Sequence, residues 1–265
     1  MNRIGKFIVN HEGAREMKPI IALLIVAATL QFAPKVQAQE DPYAAIFQIR
    51  VIEKSNGLYK GVVRGTGFFI NSDGTALTVS HIASFAVRRP DKYLLIALVN
   101  GDMYNVSVVC NSKLPYDGLP ENVRLTRDIA EIKLAPFTLP FETWGTPTIV
   151  LATAHRGDLP SFQFLKIGGA ASGHVRIVGF GQTFGLPERW MVEGDAEGLP
   201  SMVARLKSDN TPFFAISYNR PATRGDSGAP MLNDQGEVVG ILWGGVDAIN
   251  VGVAEGVDVL KTPCR

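Results

Sequence analysis

The stretch Gly65-Thr-Gly-Phe-Phe-Ile-Asn-Ser-Asp-Gly-Thr-Ala-Leu-Thr-Val79 places two short apolar segments on either side of a turn. The segments at 67–70 and 75–79 are rich in β-branched and aromatic residues, and turn-forming residues at 71–74 separate them. This composition is typical of short β-strands joined by a tight turn. The pattern therefore predicts two strands in this part of the chain.

Further strand-like runs occur at 45–52, 61–64, 93–99, 129–134, 148–151, 174–179, 213–217, 230–232 and 237–243. Helical periodicity is confined to two short segments, at 78–88 and 256–262. Many short strands with frequent turns between them predict an all-β sandwich or barrel architecture.

The N-terminus has the pattern of a signal peptide. Basic residues precede an apolar run at 20–30, which is shorter than the roughly 20 residues needed to span a bilayer. Val36-Gln-Ala38 then supplies small side chains at the two positions that a signal peptidase reads. We expect cleavage after Ala38 and export to the periplasm or the medium, with no stable membrane insertion. An uncleaved anchor, a buried helix and a true start at Met17 are the alternatives.

Removal of residues 1–38 from the chain of 265 leaves 227 residues. This length is large for one small barrel and suits two barrels packed together. The segment at 137–147 is the best candidate for a linker between them. We therefore expect a first barrel over 39–140 and a second barrel over 141–265, which ends in a short helix.

Composition excludes several classes of function. The 26 Lys and Arg residues nearly balance the 25 Asp and Glu residues, which gives no indication of a nucleic-acid-binding face. A hydrophobic content of 46% is enough for a sizeable core and excludes a mainly disordered chain. No Walker, Rossmann, EF-hand or zinc-ligand pattern occurs, so we expect no cofactor and no metal.

The chain contains two cysteines, Cys110 and Cys264. Export would expose them to an oxidising environment, where a pair of cysteines is more often bridged than free. The bridge would close a loop of about 155 residues and contribute roughly 5 kcal/mol in the chain-entropy model. Two unpaired, buried thiols are the alternative.

The sequence Gly225-Asp-Ser-Gly-Ala-Pro230 contains a candidate nucleophile. A serine hydroxyl needs a neighbouring base to react at neutral pH, and it needs N–H groups directed at the developing oxyanion. Glycine permits the tight turn that presents such groups. Ser227 is therefore the candidate nucleophile, and the amides of Gly225 and Ser227 are the candidate oxyanion hole. A surface turn is the alternative for an isolated motif of this kind.

Two further residues complete a possible catalytic triad. His81 ends an apolar strand where a short helix begins, and Asp128 precedes the apolar alternation at 129–134. In such a triad the imidazole moves the proton, and the carboxylate orients the imidazole and stabilises its charged form. His155 and His174 lack any comparable setting, and we interpret them as structural.

The blocks around His81, Asp128 and Ser227 together resemble the three signature blocks of trypsin-like serine proteases, in the same order. The resemblance covers roughly residues 44–260. It implies two six-stranded antiparallel barrels, with His81 and Asp128 on the first and Ser227 on the second. It also implies an endopeptidase that cleaves polypeptide substrates through an acyl-enzyme, and we expect a monomer.

The stretch Val238-Val-Gly-Ile-Leu-Trp-Gly-Gly-Val246 is similar to the corresponding part of bacterial glutamyl endopeptidases. Those enzymes have a histidine where this chain has Leu242, and trypsins have an aspartate where it has Pro221. Leu242 and Ala222 therefore indicate a small or apolar residue before the scissile bond. By resemblance, the backbone of Leu242, Trp243 and Gly244 pairs with the substrate as an added strand. The alternative is that Leu242 and Trp243 only pack the core.

Digestive members of the family need a newly freed N-terminus whose ammonium pairs with the aspartate before the nucleophile. No matching cleavage motif precedes Gly65, so Asp226 needs another partner, such as Arg224 or another arginine. We expect an enzyme that is competent once exported and folded. A non-catalytic trypsin-fold binding protein and an esterase with the same triad are the alternative functions.

Overall fold

The computed structural model of the protein describes residues 41–112, 128–139, 152–169, 173–181, 190–197, 213–218, 223–246, 251–256 and 260–263. The predicted signal peptide, the strand expected at 148–151, Ala222 and Cys264 lie outside these ranges. Within them, no helix combines the length and the apolar character needed to cross a bilayer.

The elements of the N-terminal half are β1 (Ile46–Ser55), β2 (Leu58–Phe69), β3 (Thr75–Thr78), α1 (Ser80–Arg88), β4 (Tyr93–Val99), β5 (Asp102–Asn111), β6 (Ala130–Ala135) and β7 (Thr153–Ala154). The C-terminal half contributes β8 (Gly173–Gly179), β9 (Trp190–Glu197), β10 (Phe213–Tyr218), β11 (Pro230–Leu232), β12 (Val238–Val246) and β13 (Val251–Gly256).

Strands β1 to β7 form one sheet in the order β4-β1-β2-β3-β6-β5-β7. β4 pairs with β1 and also with β5, so the antiparallel pairing runs through six strands and returns to β4. The sheet nevertheless has seven strands rather than the six that we expected, because β7 pairs parallel with Asp102 and Met103 of β5. β6 pairs with β5 only from Asn105 onward, which leaves that edge open to β7.

Strands β8 to β13 form a closed barrel of six strands in the order β10-β13-β12-β11-β8-β9. The mostly-β architecture and a closed six-stranded barrel are therefore confirmed. Gly256 belongs to β13, and the described helical backbone near the C-terminus is limited to residues 260 and 261. The predicted helix at 256–262 therefore stays a prediction.

β2 is one strand of 12 residues, although the sequence predicts two separate runs at 61–64 and 67–70. Gly65 and Gly67 interrupt the apolar pattern, but both residues keep their pairing with β1. Gly67 lies over the side chains of Phe47 and Ile49, where an added Cβ would approach both closely. The glycines thus reflect close packing within a continuous strand.

The main hydrophobic core supports the residues around the predicted site. Leu77, Val79 and Ile82 flank His81 in sequence, Ile129 follows Asp128, and all four side chains are fully buried in one cluster. Burial of one such side chain stabilises the fold by about 1.5–3 kcal/mol. The backbone on both sides of His81 and Asp128 is therefore held by core packing.

Candidate active site

His81 and Asp128 are in direct contact at the start of α1. The Nδ1 atom of His81 lies 2.6 Å from Oδ2 of Asp128, and the backbone N–H of His81 donates to Oδ1 at 2.8 Å. Asp128 is buried, with 5% of its surface exposed, while the imidazole is half-buried. One carboxylate therefore fixes both the side chain and the backbone of His81.

The contact with Asp128 also completes the N-terminus of α1. The residue that precedes the helix, Val79, has no side chain that could cap it, and the first turn contains no acidic residue. The first N–H groups of a helix lack partners within the helix. Asp128, which lies 47 positions further along the chain, accepts a hydrogen bond from one of these N–H groups, that of His81.

A polar network ties the Asp128 segment to the end of β5. The hydroxyl of Ser80 donates to the carbonyl oxygen of Ser112 at 2.8 Å, and it also bonds to Asn111. The N–H of Ile129 donates to the hydroxyl of Ser112, and the N–H of Ser112 donates to the carbonyl oxygen of Ile129. Sequence reasoning missed Ser80, Asn111 and Ser112, since only their place beside the motif blocks marks them.

Ser227 lies in a tight loop that two glycines make possible. Gly225 has φ +111° and Gly228 has φ +91°, both in the left-handed region that side chains other than glycine rarely adopt. An added Cβ would collide with the carbonyl oxygen of Phe180 at Gly225 and with that of Thr66 at Gly228. The backbone of the loop therefore packs directly against neighbouring backbone on both sides of Ser227.

Thr66 of β2 joins the Ser227 loop to the first sheet. Its backbone N–H donates to the carbonyl oxygen of Ser227 at 2.8 Å, and its hydroxyl donates to that of Gly225 at 2.8 Å. The same hydroxyl accepts a bond from the N–H of Phe180 at 3.0 Å. The hydroxyl of Thr78 in turn donates to the carbonyl oxygen of Thr66. Thr66 is fully buried, and sequence reasoning did not single it out.

The two amides expected to form an oxyanion hole have a distinctive environment. Within the ranges that the structure describes, the N–H groups of Gly225 and Ser227 donate no hydrogen bond. The neighbouring amides of Asp226, Gly228 and Ala229 all donate to backbone carbonyl groups. Three of the five central amides of the loop are therefore engaged, two within the loop and one with Leu242 of β12, and the other two are left for an external acceptor.

Asp226 is bound within its own loop. Its Oδ2 atom accepts hydrogen bonds from the backbone N–H of Thr223 at 2.8 Å and from the hydroxyl of Thr223 at 3.2 Å. The side chain is buried, with 3% exposed. Thr223 is thus one partner of this carboxylate, and the expected arginine partner stays a prediction.

The segment expected to pair with substrate is only partly available. Leu242 is buried, with 2% exposed, its N–H donates to Ala229, and its carbonyl oxygen accepts from Gly228. Trp243 and Gly244 are half-buried. The Nε1 atom of Trp243 is buried and has no hydrogen-bond partner in the described part of the chain. Leu242 is therefore buried in the core, and both of its backbone groups are engaged within the protein.

The two other histidines among the described residues lie in other surroundings. His155 stacks on Tyr104 with ring centroids 4.8 Å apart, and its Nε2 atom lies 2.8 Å from the carbonyl oxygen of Asp158. The Nδ1 atom of His174, a residue of β8, lies 3.3 Å from Oδ1 of Asp234. Across the described ranges, no group of three or more His, Cys, Asp or Glu side chains is placed to hold a metal ion.

The structure thus pairs His81 with Asp128, and hydrogen bonds of Thr66 hold the Ser227 loop against β2. Comparison with known protein families gives a match to the trypsin-like peptidase domain over residues 65–241. The chain belongs to the trypsin-like peptidase family. The predicted family is therefore confirmed, and so is its activity as a peptidase acting on polypeptides. The glutamyl endopeptidase branch stays a prediction.

Two solved structures resemble this trypsin-like peptidase. One is Rv3671c from M. tuberculosis H37Rv, a serine-to-alanine mutant in an inactive form, at 14% identity over 83% of this chain and 84% of that chain, with a TM-score of 0.48. The other is the inactive form of the Rv3671c protease, at 15% identity over 83% and 87% of the two chains, with a TM-score of 0.49. No curated protein sequence matches this chain.

Proposed function

We propose that this trypsin-like peptidase is an exported serine endopeptidase with Ser227 as nucleophile, His81 as general base and acid, and Asp128 as the group that orients His81. The observation that carries the proposal is the double contact of Asp128 with the backbone N–H and the Nδ1 atom of His81. A proton on Nδ1 that bonds to Asp128 leaves Nε2 free to accept one from a serine hydroxyl.

The reaction proceeds in two steps. In the first, Oγ of Ser227 attacks the peptide carbonyl carbon while Nε2 of His81 takes the hydroxyl proton, and the amides of Gly225 and Ser227 stabilise the oxyanion. The C–N bond then breaks as His81 gives the proton to the leaving amine. In the second step, water attacks the acyl-enzyme by the same route and regenerates Ser227.

The proposed oxyanion hole agrees with the loop's hydrogen bonds. The amides of Gly225 and Ser227 have no acceptor among the described residues, whereas those of Asp226, Gly228 and Ala229 donate to backbone carbonyl groups. Removal of one oxyanion-hole donor lowers kcat by about 10²–10³-fold in serine proteases. Two amides without an internal acceptor at this position would therefore contribute strongly to stabilisation of the oxyanion.

We propose that the substrate residue before the scissile bond is small or apolar. Leu242 stands where glutamyl endopeptidases carry a histidine, and its burial leaves no polar group there to hold an acidic side chain. Because both backbone groups of Leu242 are engaged, the pairing with substrate falls to Trp243 and Gly244. Mapping of cleavage sites in denatured proteins tests the preference, and a dominant glutamate before the cleaved bond would contradict it.

The processing of the protein follows from the same interpretation. We propose that the mature chain starts at Gln39 and needs no further cut, since Asp226 already has a partner in Thr223. We also propose a disulfide between Cys110 and Cys264. In support, no free cysteine occurs in the described part of the chain, and the chain contains only these two.

Kinetics of the mature chain on peptide substrates test the proposed function. Ser227→Ala should lower kcat by about 10⁶-fold and Asp128→Asn by about 10⁴-fold, on the scale of other serine proteases. Ser55→Ala, at an exposed site at the end of β1, serves as the control and should retain full activity. Equal activity of Ser227→Ala and the unmodified protein would refute the proposal.

A further inference from the structure

A cavity of about 360 Å³ opens beside His81 on the first sheet. Among the described residues it is lined by His81, Ser84, Phe85, Arg88, Arg89 and Tyr93. The lining thus comes from α1, from the residue after it, and from the first residue of β4. The volume lies within the roughly 300–1,000 Å³ range of sites that bind small organic groups.

The inner wall of the cavity is aromatic. Phe85 and Tyr93 meet edge to face, with ring centroids 5.3 Å apart and ring planes at 84°. Both rings are half-buried, so each also presents surface to the cavity. The one hydroxyl that belongs to α1 here, that of Ser84, accepts a hydrogen bond from Asn111 and is buried. The wall therefore favours an apolar or aromatic group over a polar one.

The charged residues lie at the outer rim. Arg88 and Arg89 are exposed, and Arg89 forms a surface pair with Asp91 at 3.4 Å. Exposed pairs of this kind contribute little to binding of a neutral group. The aromatic rings, rather than the guanidinium groups, therefore decide what the cavity accepts.

The position of the cavity relates it to one side of the scissile bond. In the proposed mechanism His81 hands its proton to the leaving amine, so the leaving-group part of the substrate lies against the imidazole. The segment proposed to pair with the acyl part of the substrate, Trp243 and Gly244, belongs to β12 in the other half of the chain. A cavity bounded by His81 and α1 is therefore placed for residues after the scissile bond.

We propose that this cavity binds a large apolar or aromatic side chain of the substrate within two residues after the scissile bond, and that Phe85 and Tyr93 determine this specificity. The proposal rests on the proposed serine endopeptidase function. It implies that an amine carrying an apolar side chain is also a good acceptor for the acyl-enzyme. In that reverse step the amine nitrogen attacks the acyl carbonyl carbon, the ester bond to Oγ of Ser227 breaks, and His81 transfers the amine proton to Oγ.

Partitioning of the acyl-enzyme between water and added amines measures this site without interference from the acyl side. The mature protein is acylated with an N-acyl amino acid ester in the presence of phenylalanine amide or glycine amide, and the ratio of amide product to hydrolysis product is measured. Phenylalanine amide should partition at least about tenfold better than glycine amide, the scale on which an apolar pocket discriminates.

Variants of the wall assign the preference to the cavity. Phe85→Ala and, independently, Tyr93→Ala should bring the two amides to within about threefold of each other. Val87→Ala, on the same helix at a side chain that is 50% exposed and does not line the cavity, should keep the full preference. Circular dichroism and labelling of Ser227 by a fluorophosphonate verify that each variant is folded.

The possible outcomes distinguish failure of the cavity proposal from failure of the proposed serine endopeptidase function. Absence of any acyl-enzyme or ester turnover in the unmodified protein would overturn the endopeptidase function, and this proposal with it. Normal ester turnover with equal partitioning of the two amides would overturn only the cavity assignment. The cavity assignment would also be overturned if the preference for phenylalanine amide persisted in a folded Phe85→Ala or Tyr93→Ala variant. It would likewise be overturned if cleavage mapping placed the apolar preference only before the scissile bond.

Discussion

Thr66 donates its backbone N–H to the carbonyl oxygen of Ser227, at 2.8 Å, across 161 positions of sequence. Its hydroxyl bonds at the same time to Gly225 and to Phe180, so one buried residue of β2 holds the loop on both sides of the proposed nucleophile. The position of the Ser227 loop therefore depends on a buried residue that lies outside the proposed triad.

Replacement of Thr66 by valine should impair both stability and turnover. The change leaves the carbonyl oxygen of Gly225 and the N–H of Phe180 without their partner, at about 1–3 kcal/mol for each buried group. Displacement of the loop by about 1 Å would lower kcat/KM by about 10²-fold. Urea unfolding and peptide hydrolysis measure the two effects, with the exposed Thr153→Val as control. Unchanged turnover in Thr66→Val would show that the loop is positioned by other contacts.

Gly228→Ala should be much more damaging than an alanine at another glycine of the same conformation. Gly57 has φ +77° and no atom within 4 Å of an added Cβ, whereas a Cβ at Gly228 would strike the carbonyl oxygen of Thr66. Both changes incur the backbone cost of about 1–2 kcal/mol. Gly228→Ala should add about 1–3 kcal/mol for overpacking and should abolish turnover, while Gly57→Ala retains it. Equal unfolding free energies of the two variants would contradict this explanation.

Extra residues before Gln39, the proposed N-terminus of the mature chain, should leave activity unchanged. Asp226 accepts two hydrogen bonds from Thr223, so its carboxylate does not depend on a terminal ammonium. A chain that begins at Gln39 and one with a short tag before it should have kcat/KM values within about twofold. Restoration of activity only after removal of the tag would show that a free N-terminus is required.

The sequence predicts much of this fold because its apolar runs are local signals. The run at 93–99 coincides with β4, and the helical pattern at 78–88 contains α1. β5 and β9 were missed, since polar residues and glycine interrupt them. β9 contains the run Glu193-Gly-Asp-Ala-Glu197, which disfavours a strand, yet it pairs with β8 along seven residues. Pairing with a neighbour decides such strands, and a single sequence does not reveal it.

The residues of the candidate site also fall into those that the sequence predicts and those that it does not. His81, Asp128 and Ser227 were candidates because each lies in a short block with a distinctive order of residues. The sequence does not predict the roles of Thr66 and Thr223, because no sequence pattern indicates which partner a threonine hydroxyl will bond to. Both backbone groups of Leu242 bond inside the barrel, which the sequence alone does not indicate.

The Asp73–Lys133 pair should make stability depend on acid pH. Lys133 lies 2.6 Å from Asp73, and its hydrogen bond, with those of Thr75, lowers the pKa of Asp73 from 3.8 to about 2. A depressed carboxyl pKa stabilises the folded state above the unfolded value and loses that effect as pH falls through the folded value. The unfolding free energy lost in Asp73→Asn should therefore be constant above about pH 5 and shrink from about pH 4 toward pH 2. A difference that stays constant down to pH 2 would contradict the pairing.

Labelling with a fluorophosphonate tests the central claim most directly, because the probe reacts with a serine hydroxyl only where a base and an oxyanion hole activate it. The folded mature protein is treated with the probe, and the modified residue is located by mass spectrometry. Labelling confined to Ser227, and lost in His81→Ala, is the predicted result. Folded protein that takes up no probe, or takes it up at another serine, would contradict the claim.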